Sequence, residues 1–201
     1  MKILLIANST ASSVTARKRV VIAKLLSGAH DVSVALTERR GHATELARAA
    51  IVDGVDIVVA LGGDGTLNEV ANGLVGSDCA LAVLPGGSTN VLARTLGLAD
   101  DPVQACLQLL DALDLGLIRR VSLGRVDALT PLEPGSDLGG RGPASVITEA
   151  PRWFTFHLGI GWDAATVAEV ERRGALKRYP NHVLFIYAGL TAFFRDTDRT
   201  S

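Results

Sequence analysis

Residues 56–69 read Asp-Ile-Val-Val-Ala-Leu-Gly-Gly-Asp-Gly-Thr-Leu-Asn-Glu, an apolar run that a glycine-rich turn separates from a helical pattern. The run from Ile57 to Leu61 contains β-formers without polar alternation, which is typical of a central strand covered on both faces. Open α/β sheets bind their ligands at the carboxyl ends of such strands. The N–H groups that open the following helix form an anion site. The sequence therefore predicts a phosphate-binding turn.

Individual residues of this turn have structural as well as functional explanations. Its three glycines permit positive φ and the close approach of a ligand to the backbone. The segment 66–69 fits a capping box, in which Thr66 caps the helix and Glu69 reaches back. Capping does not explain Asp64, because a carboxylate repels a bound anion unless Mg²⁺ or a substrate hydroxyl lies between them.

Composition limits the class of protein. With 201 residues, 48% apolar and 20% charged, the chain is long enough for one large or two small globular domains. A net charge of −1 gives no general attraction for nucleic acid, which we therefore exclude as a partner. The two distant cysteines, Cys79 and Cys106, have no metal or redox spacing and indicate free thiols in a reducing compartment.

The two ends of the chain differ in character. The apolar run after Met1 and Lys2 is too short for a signal peptide, and no run is long enough for a membrane span, so we expect a cytoplasmic protein. Every Phe, Trp and Tyr lies at or after Trp153. This change in composition predicts a second unit or a different interaction surface in the carboxyl-terminal part.

Strand and helix patterns alternate through the first half of the sequence. Strands are predicted at 2–7, 31–36, 56–61 and 80–84, and helices at 14–26, 42–52, 66–74, 88–96 and 101–113. This order indicates an α/β fold with a parallel sheet in an N-terminal domain at residues 1–115. After residue 116 the pattern becomes β again, with a long loop at 131–143 between two strands and helices at 166–173 and 183–194.

A second glycine turn, Pro85-Gly-Gly-Ser-Thr-Asn90, follows the fourth predicted strand. Two such turns at neighbouring strand ends can hold two parts of a polyphosphate. Neither turn has the spacing of the dinucleotide fingerprint or of the P-loop, and no lysine follows the first.

Together the two turns resemble those of a kinase family. GGDGTLNEV and PGGSTN look most like the bacterial branch of the diacylglycerol kinase catalytic-domain family, which is related to sphingosine kinases and more distantly to NAD kinases. The segment Gly159-Ile-Gly-Trp-Asp-Ala164 resembles the family's Gly-x-Gly-x-Asp-Ala at the beginning of its C-terminal β-rich domain. The resemblance implies a nucleotide-binding domain at 1–115 and the beginning of a β-rich domain at 116–201, incomplete because relatives continue further.

The resemblance also implies a cofactor, a substrate and a set of site residues. It implies ATP with Mg²⁺ and a lipid alcohol such as diacylglycerol as the phosphate acceptor. We expect Asp64 to organise Mg²⁺ or to accept the hydroxyl proton, while the metal ligands as a set stay unknown. The residues expected at the nucleotide are Asn8, Thr37, Gly62, Gly63, Asp64, Gly65, Thr66, Leu67, Asn68, Glu69 and Ser88.

Several alternatives stay open at this point. An NAD kinase shares the glycine loop but not the lipid substrate, and an inactive nucleotide-binding regulatory module is a rival from another class. Basic residues beside aromatics at 171–194 suggest peripheral contact with the inner face of the membrane, although packing under further strands explains the same residues. A homodimer is a further open expectation.

Overall fold

The structure of the protein is a computed structural model. It describes residues 1–8, 11, 14–127, 129–131, 145–147 and 151–156. Four longer strands are β1 (Lys2–Asn8), β2 (Asp31–Thr37), β3 (Ile57–Gly62) and β4 (Ala80–Pro85). The helices are α1 (Ala16–Ser27), α2 (His42–Val52), α3 (Asp64–Leu74), α4 (Val91–Thr95) and α5 (Pro102–Asp114). Four short strands follow: β5 (Gly124–Val126), β6 (Leu129–Pro131), β7 (Ser145–Ile147) and β8 (Arg152–Phe154).

The long strands form one parallel sheet in the order β2-β1-β3-β4. The chain moves outward from β1 to β2 and then returns to the other side of β1 for β3. This reversal between β1 and β3 is a topological switch point, and the carboxyl ends of the strands beside such a point open the crevice in which α/β sheets bind ligands. The glycine turns after β3 and β4 lie at this edge.

Helices cover both faces of the sheet, which explains why β3 is buried along its whole length. On one face α1 and α5 pack against Ile3, Leu5 and Val59. On the other face α2 and α3 pack against Ile6 and Val58. An apolar strand without polar alternation is the sequence that a doubly covered position requires.

The α2–α3 pair packs closely because small residues line it. A Cβ on Gly73 would lie only 2.5 Å from the Cβ of Ala47 and 2.7 Å from the carbonyl oxygen of Thr44. Ala43, Ala47 and Ala50 are buried on the facing side of α2. This packing holds α3, the helix that follows the first glycine turn, firmly against the rest of the domain.

The predicted elements up to residue 114 are present, with shifts of a few residues at their ends. The predicted bounds of α2 agree with the structure, whereas α4 is three residues shorter at its beginning than predicted. The α/β fold with a parallel sheet is confirmed. Among the described residues, no helix combines the length and apolar character that crossing a membrane requires.

The region after α5 differs in part from its prediction. Residues 117–123 were expected to be β, but the strand is confined to β5. β5 pairs antiparallel with β8, and β6 pairs antiparallel with β7. The helices predicted at 166–173 and 183–194, the segment 159–164 and the tail at 171–194 lie outside the described residues. The predicted domain boundary after residue 115 stays a prediction.

Both cysteines are free thiols, in agreement with the sequence. Cys106 is a buried residue of α5, and this burial raises the pKa of its thiol to about 11. Burial also raises the pKa of the half-buried Cys79 thiol. Both groups are therefore protonated at neutral pH and are poor nucleophiles or metal ligands.

Candidate active site

The first glycine turn joins β3 directly to α3 at the carboxyl edge of the sheet. Gly63 is the N-cap residue, and its backbone is extended, with φ −85° and ψ −179°. The helix begins at Asp64, two residues before the predicted start. The backbone N–H groups of Asp64, Gly65 and Thr66 donate no hydrogen bond within the described part of the chain. Three orphan donors at the positive end of a helix form an anion site.

The capping-box prediction for α3 is wrong. Thr66 lies inside the first turn of the helix, where its Oγ1 accepts a hydrogen bond of 3.1 Å from Nδ2 of Asn8. Glu69 does not reach back toward the start of its own helix. Instead, its Oε2 accepts from the Ala43 N–H at 3.2 Å and so satisfies a donor at the start of α2. Non-local partners thus replace the local cap that the residue spacing suggested.

Positive φ, one of the two roles predicted for the glycines of the first turn, is absent, while the close approach of a ligand stays a prediction. None of Gly62, Gly63 and Gly65 has positive φ. Instead, the two turns touch backbone to backbone, because a Cβ on Gly87 would lie 2.8 Å from Cα of Gly63. Similarly, a Cβ on Gly86 would lie 2.9 Å from Cα of Gly62. The N–H of Gly86 also donates to the carbonyl oxygen of Gly62 at 2.8 Å and extends the β3–β4 pairing into the turns.

Asp64 links the two turns through its side chain. Its Oδ1 accepts a 2.7 Å hydrogen bond from the N–H of Val91, the first residue of α4. The carboxylate therefore stabilises the start of α4 while lying in the first turn of α3, and both positions favour a negative charge. Its other oxygen makes no hydrogen bond or ion pair among the described residues. The structure thus supplies a structural role for Asp64 and leaves one oxygen for a further partner.

Asn90 shapes the second turn and was absent from the predicted site residues. It is buried and left-handed, with φ 48° and ψ 51°. Its Oδ1 accepts from the Gly87 N–H at 2.9 Å, and its Nδ2 donates to the Gly87 carbonyl at 2.8 Å. Asparagine tolerates this conformation better than most residues, because its short side chain can bond the nearby backbone. The sequence signal was the asparagine three residues after the glycine pair.

The structure places the predicted nucleotide residues in several different surroundings. Asn8 and Thr37 are neighbours in the β1–β2 pairing at the same sheet edge as the turn, and Ser88 is exposed in the second turn. Leu67 is part of the hydrophobic core. The side-chain carbonyl of Asn68 and the carboxylate of Glu69 accept hydrogen bonds from other parts of the chain. The contact of all these side chains with a nucleotide stays a prediction.

A shallow recess lies between the two turns. The described residues that line it are Gly62, Gly63, Asp64, Leu67, Val83, Pro85, Asn90 and Ala93. The start of α3, with its three orphan N–H groups, therefore borders this recess.

No lysine or arginine is among the described residues that line this recess. Arg94 lies one turn beyond Asn90, but its Nε is 3.3 Å from the carboxylate of Asp100. The described residues contain no group of three side chains of the His, Cys, Asp and Glu type that could hold a metal ion. Mg²⁺ commonly uses only one or two carboxylates together with substrate phosphates and water. The oxygens of Asp64 fit one such ligand.

Comparisons with known proteins were made against this geometry. A family model described as the diacylglycerol kinase catalytic domain matches residues 2–126. The chain belongs to this family. The match includes the whole parallel sheet, both glycine turns and β5.

Individual members of the diacylglycerol kinase catalytic-domain family are similar to part of this chain. A diacylglycerol kinase of Bacillus subtilis (strain 168) is 37% identical over 109 residues, which are 53% of this chain and 35% of that protein. A probable lipid kinase, YegS-like, of Klebsiella pneumoniae (strain 342) is 35% identical over 134 residues, covering 64% of this chain and 42% of that protein. The chain therefore spans well under half the length of these relatives.

A solved structure shows the same fold. The crystal structure of a diacylglycerol kinase from Bacillus anthracis (strain Sterne) aligns with a TM-score of 0.51 and 32% sequence identity. The alignment covers 55% of this chain and 42% of the other. These comparisons confirm the predicted resemblance and a lipid kinase family for the domain, and they do not favour an NAD kinase.

Gly65 is the glycine that best separates ligand binding from folding. It is exposed in the first turn of α3, and a Cβ at this position would meet nothing within 4 Å. We expect Gly65→Ala to raise the free energy of unfolding by about 0.5–1 kcal/mol, because alanine is the better helix former. A methyl group beside the orphan N–H groups should weaken ATP binding by roughly tenfold, or about 1.4 kcal/mol. Urea unfolding and calorimetric titration with Mg·ATP measure the two effects.

The combination of higher stability and weaker binding is the decisive feature of the Gly65→Ala experiment. A variant that is more stable and binds ATP as tightly as the wild type would show that the nucleotide does not approach this turn. Gly76→Ala is unsuitable as a control, because Gly76 has a φ of +82° and alanine would be strained there. Ser77→Ala, near the opposite end of α3, is the matched variant that should leave ATP affinity unchanged.

Proposed function

We propose that this chain is the nucleotide-binding part of an ATP-dependent kinase that phosphorylates a hydroxyl group of a lipid such as diacylglycerol. The observation that carries the proposal is a group of three N–H donors at the start of α3, beside a carboxylate oxygen, all of them without a hydrogen-bond partner among the described residues. Family membership supports a phosphotransferase that acts on a lipid. The relatives named above are called diacylglycerol kinase or lipid kinase.

The proposed division of labour follows from the charges. The N–H groups of α3 and its dipole attract the phosphates of ATP. Because the described residues that line the recess include no basic side chain, the remaining negative charge calls for a cation, and Mg²⁺ held by Asp64 and the phosphates would supply it. Phosphoryl transfer depends mainly on positioning and charge neutralisation, which a pair of rigid glycine turns suits.

A two-part experiment tests the proposal. First, Mg·ATP at about 100 times its dissociation constant should stabilise the folded chain by about 2.7 kcal/mol and raise its melting temperature. Second, transfer of labelled phosphate from ATP should be measured with diacylglycerol, with NAD and without an acceptor, on this chain and on one extended at its carboxyl end. We expect label in the lipid alone.

Each outcome of this experiment has a distinct meaning. The absence of any ATP-dependent shift in the wild type would contradict nucleotide binding at the glycine turns. Label in NAD rather than in lipid would identify an NAD kinase despite the family match. Binding without transfer by either chain would favour a nucleotide-binding regulatory module over an enzyme.

A further inference from the structure

Two asparagine side chains of α3 bind the backbone of strand β8 and of Thr155, the residue that follows it. Nδ2 of Asn72 donates to the carbonyl oxygen of Trp153 at 2.8 Å, and the Trp153 N–H donates to Oδ1 of Asn72 at 2.9 Å. Asn68 Oδ1 accepts from the Thr155 N–H at 3.2 Å. The side-chain amide of Asn72 therefore takes the place that a neighbouring strand would take beside β8.

The spacing of the two asparagines matches the spacing of the strand. Residues four apart on a helix are separated by about 6 Å along its axis, and residues two apart on a strand by about 6.7 Å. Asn68 pairs with Thr155 and Asn72 pairs with Trp153, so β8 runs antiparallel to α3. This direction places Thr155 beside Asn68, which lies one helical turn after Asp64 in α3.

Further contacts hold β8 in this place. β5 pairs with the other edge of β8, and the guanidinium of Arg125 lies 5.7 Å from the centroid of the Trp153 ring. A Cβ on Gly124 would collide with the ring of Phe154, which packs on the glycine. These contacts fix the strand pair as a unit, and the two asparagines fix that unit to α3.

We propose that Asn68 and Asn72 are positioning residues, which dock β8 on the phosphate-binding helix and couple the position of Thr155 to nucleotide binding at the start of α3. The docking stands on the hydrogen bonds alone. The coupling rests on the proposed function, because it requires a nucleotide at the glycine turn. A ligand that orders the first turn of α3 stabilises this helix, and Asn68 and Asn72 together pass the order to the segment from Trp153 to Thr155.

The two asparagines use different atoms, which provides a matched pair of variants. The side-chain carbonyl oxygen of Asn68 accepts from the Thr155 N–H. The Thr155 hydroxyl lies 3.5 Å from the same oxygen. Aspartate retains that acceptor. The side-chain amide of Asn72 also donates, to the carbonyl oxygen of Trp153 and, at 2.8 Å, to the backbone carbonyl oxygen of Asn68. Aspartate at position 72 would lose both donations and place a carboxylate against two carbonyl oxygens.

Hydrogen exchange without nucleotide tests the docking. We expect the Trp153 amide to exchange at least tenfold faster in Asn72→Asp than in the wild type. In Asn68→Asp the Thr155 amide should stay within threefold of the wild type. Asn72→Ser, which adds no charge, provides a second variant if the aspartate form folds poorly, and the amides of β3 report whether the core is intact. Equal exchange in the wild type and both position-72 variants would overturn the docking.

Hydrogen exchange with Mg·ATP tests the coupling. In the wild type, ATP should slow exchange of the 151–156 segment at least threefold. In Asn72→Ser this extra protection should disappear, while the dissociation constant of ATP stays within threefold of the wild type. If ATP binds but leaves the segment unchanged, the coupling is wrong. If ATP does not bind the wild type, the proposed function fails, and the nucleotide-free exchange still decides the docking.

Discussion

Replacing Gly87 by alanine is expected to lower the free energy of unfolding by about 2–3 kcal/mol, the upper part of the roughly 1–3 kcal/mol that an extra carbon in a closely packed site usually costs. The new Cβ would lie 2.8 Å from Cα of Gly63 and 3.2 Å from Oδ1 of Asn90. The first neighbour is backbone and cannot rotate away. A shift of the Gly87 backbone away from Gly63 would also strain its two hydrogen bonds with Asn90. Urea unfolding followed by circular dichroism measures the loss.

Gly63→Ala is the matched control, because it places a methyl group on the other side of the same contact. Its Cβ would lie 3.4 Å from Cα of Gly87, close to ordinary contact. We expect a loss below about 1 kcal/mol, in the range of tolerated substitutions. If both variants are destabilised equally, backbone contact between the turns does not explain why glycine occupies position 87.

Replacing Asp64 by asparagine is expected to reduce the rate of phosphoryl transfer to lipid by at least roughly 100-fold, the effect of removing one electrostatic contact to a transition state. The neutral amide would no longer attract Mg²⁺ or accept a proton. The amide oxygen of asparagine can still accept from the Val91 N–H, which bonds the aspartate at 2.7 Å in the wild type. The start of α4 should therefore remain intact. The initial rate of label transfer, in the chain that turns over in the assay proposed above, measures the effect.

Asp64→Ala separates the structural role of this side chain from its chemical role. Alanine removes the acceptor for Val91 as well as the charge, so we expect a further loss of about 1 kcal/mol in stability, as for other lost helix caps. Asp64→Asn should melt close to the wild-type temperature. An asparagine variant with turnover within a few-fold of the wild type would exclude Asp64 as the Mg²⁺ ligand or base.

Stability and activity are therefore expected to depend on different parts of the same site. Gly87 is needed because two backbones touch, and Asp64 has one oxygen bonded to the Val91 N–H and one without a partner among the described residues. Gly65 contributes nothing visible to packing, which makes it the position where alanine should help folding and hinder binding.

The sequence by itself determined the architecture of the N-terminal domain. The uninterrupted apolar run before Gly62 predicted a strand buried on both faces, and β3 is buried throughout. Apolar residues at helical spacing predicted α2 with its observed bounds. These features depend on backbone periodicity and on the removal of apolar side chains from water, both of which a local stretch of sequence records. The order of the strands was not predicted.

Only the tertiary structure decided what the polar residues of the site do. Thr66 pairs with Asn8, 58 positions away, and not with its own helix. The carboxylate of Asp64 reaches Val91 across the second turn, and Asn72 reaches Trp153 across 81 positions. A polar group needs one partner of suitable geometry from any part of the chain, and its neighbours in sequence do not specify which. Position 87 likewise requires glycine because the backbones of the two turns touch there, and not because the backbone has a positive φ.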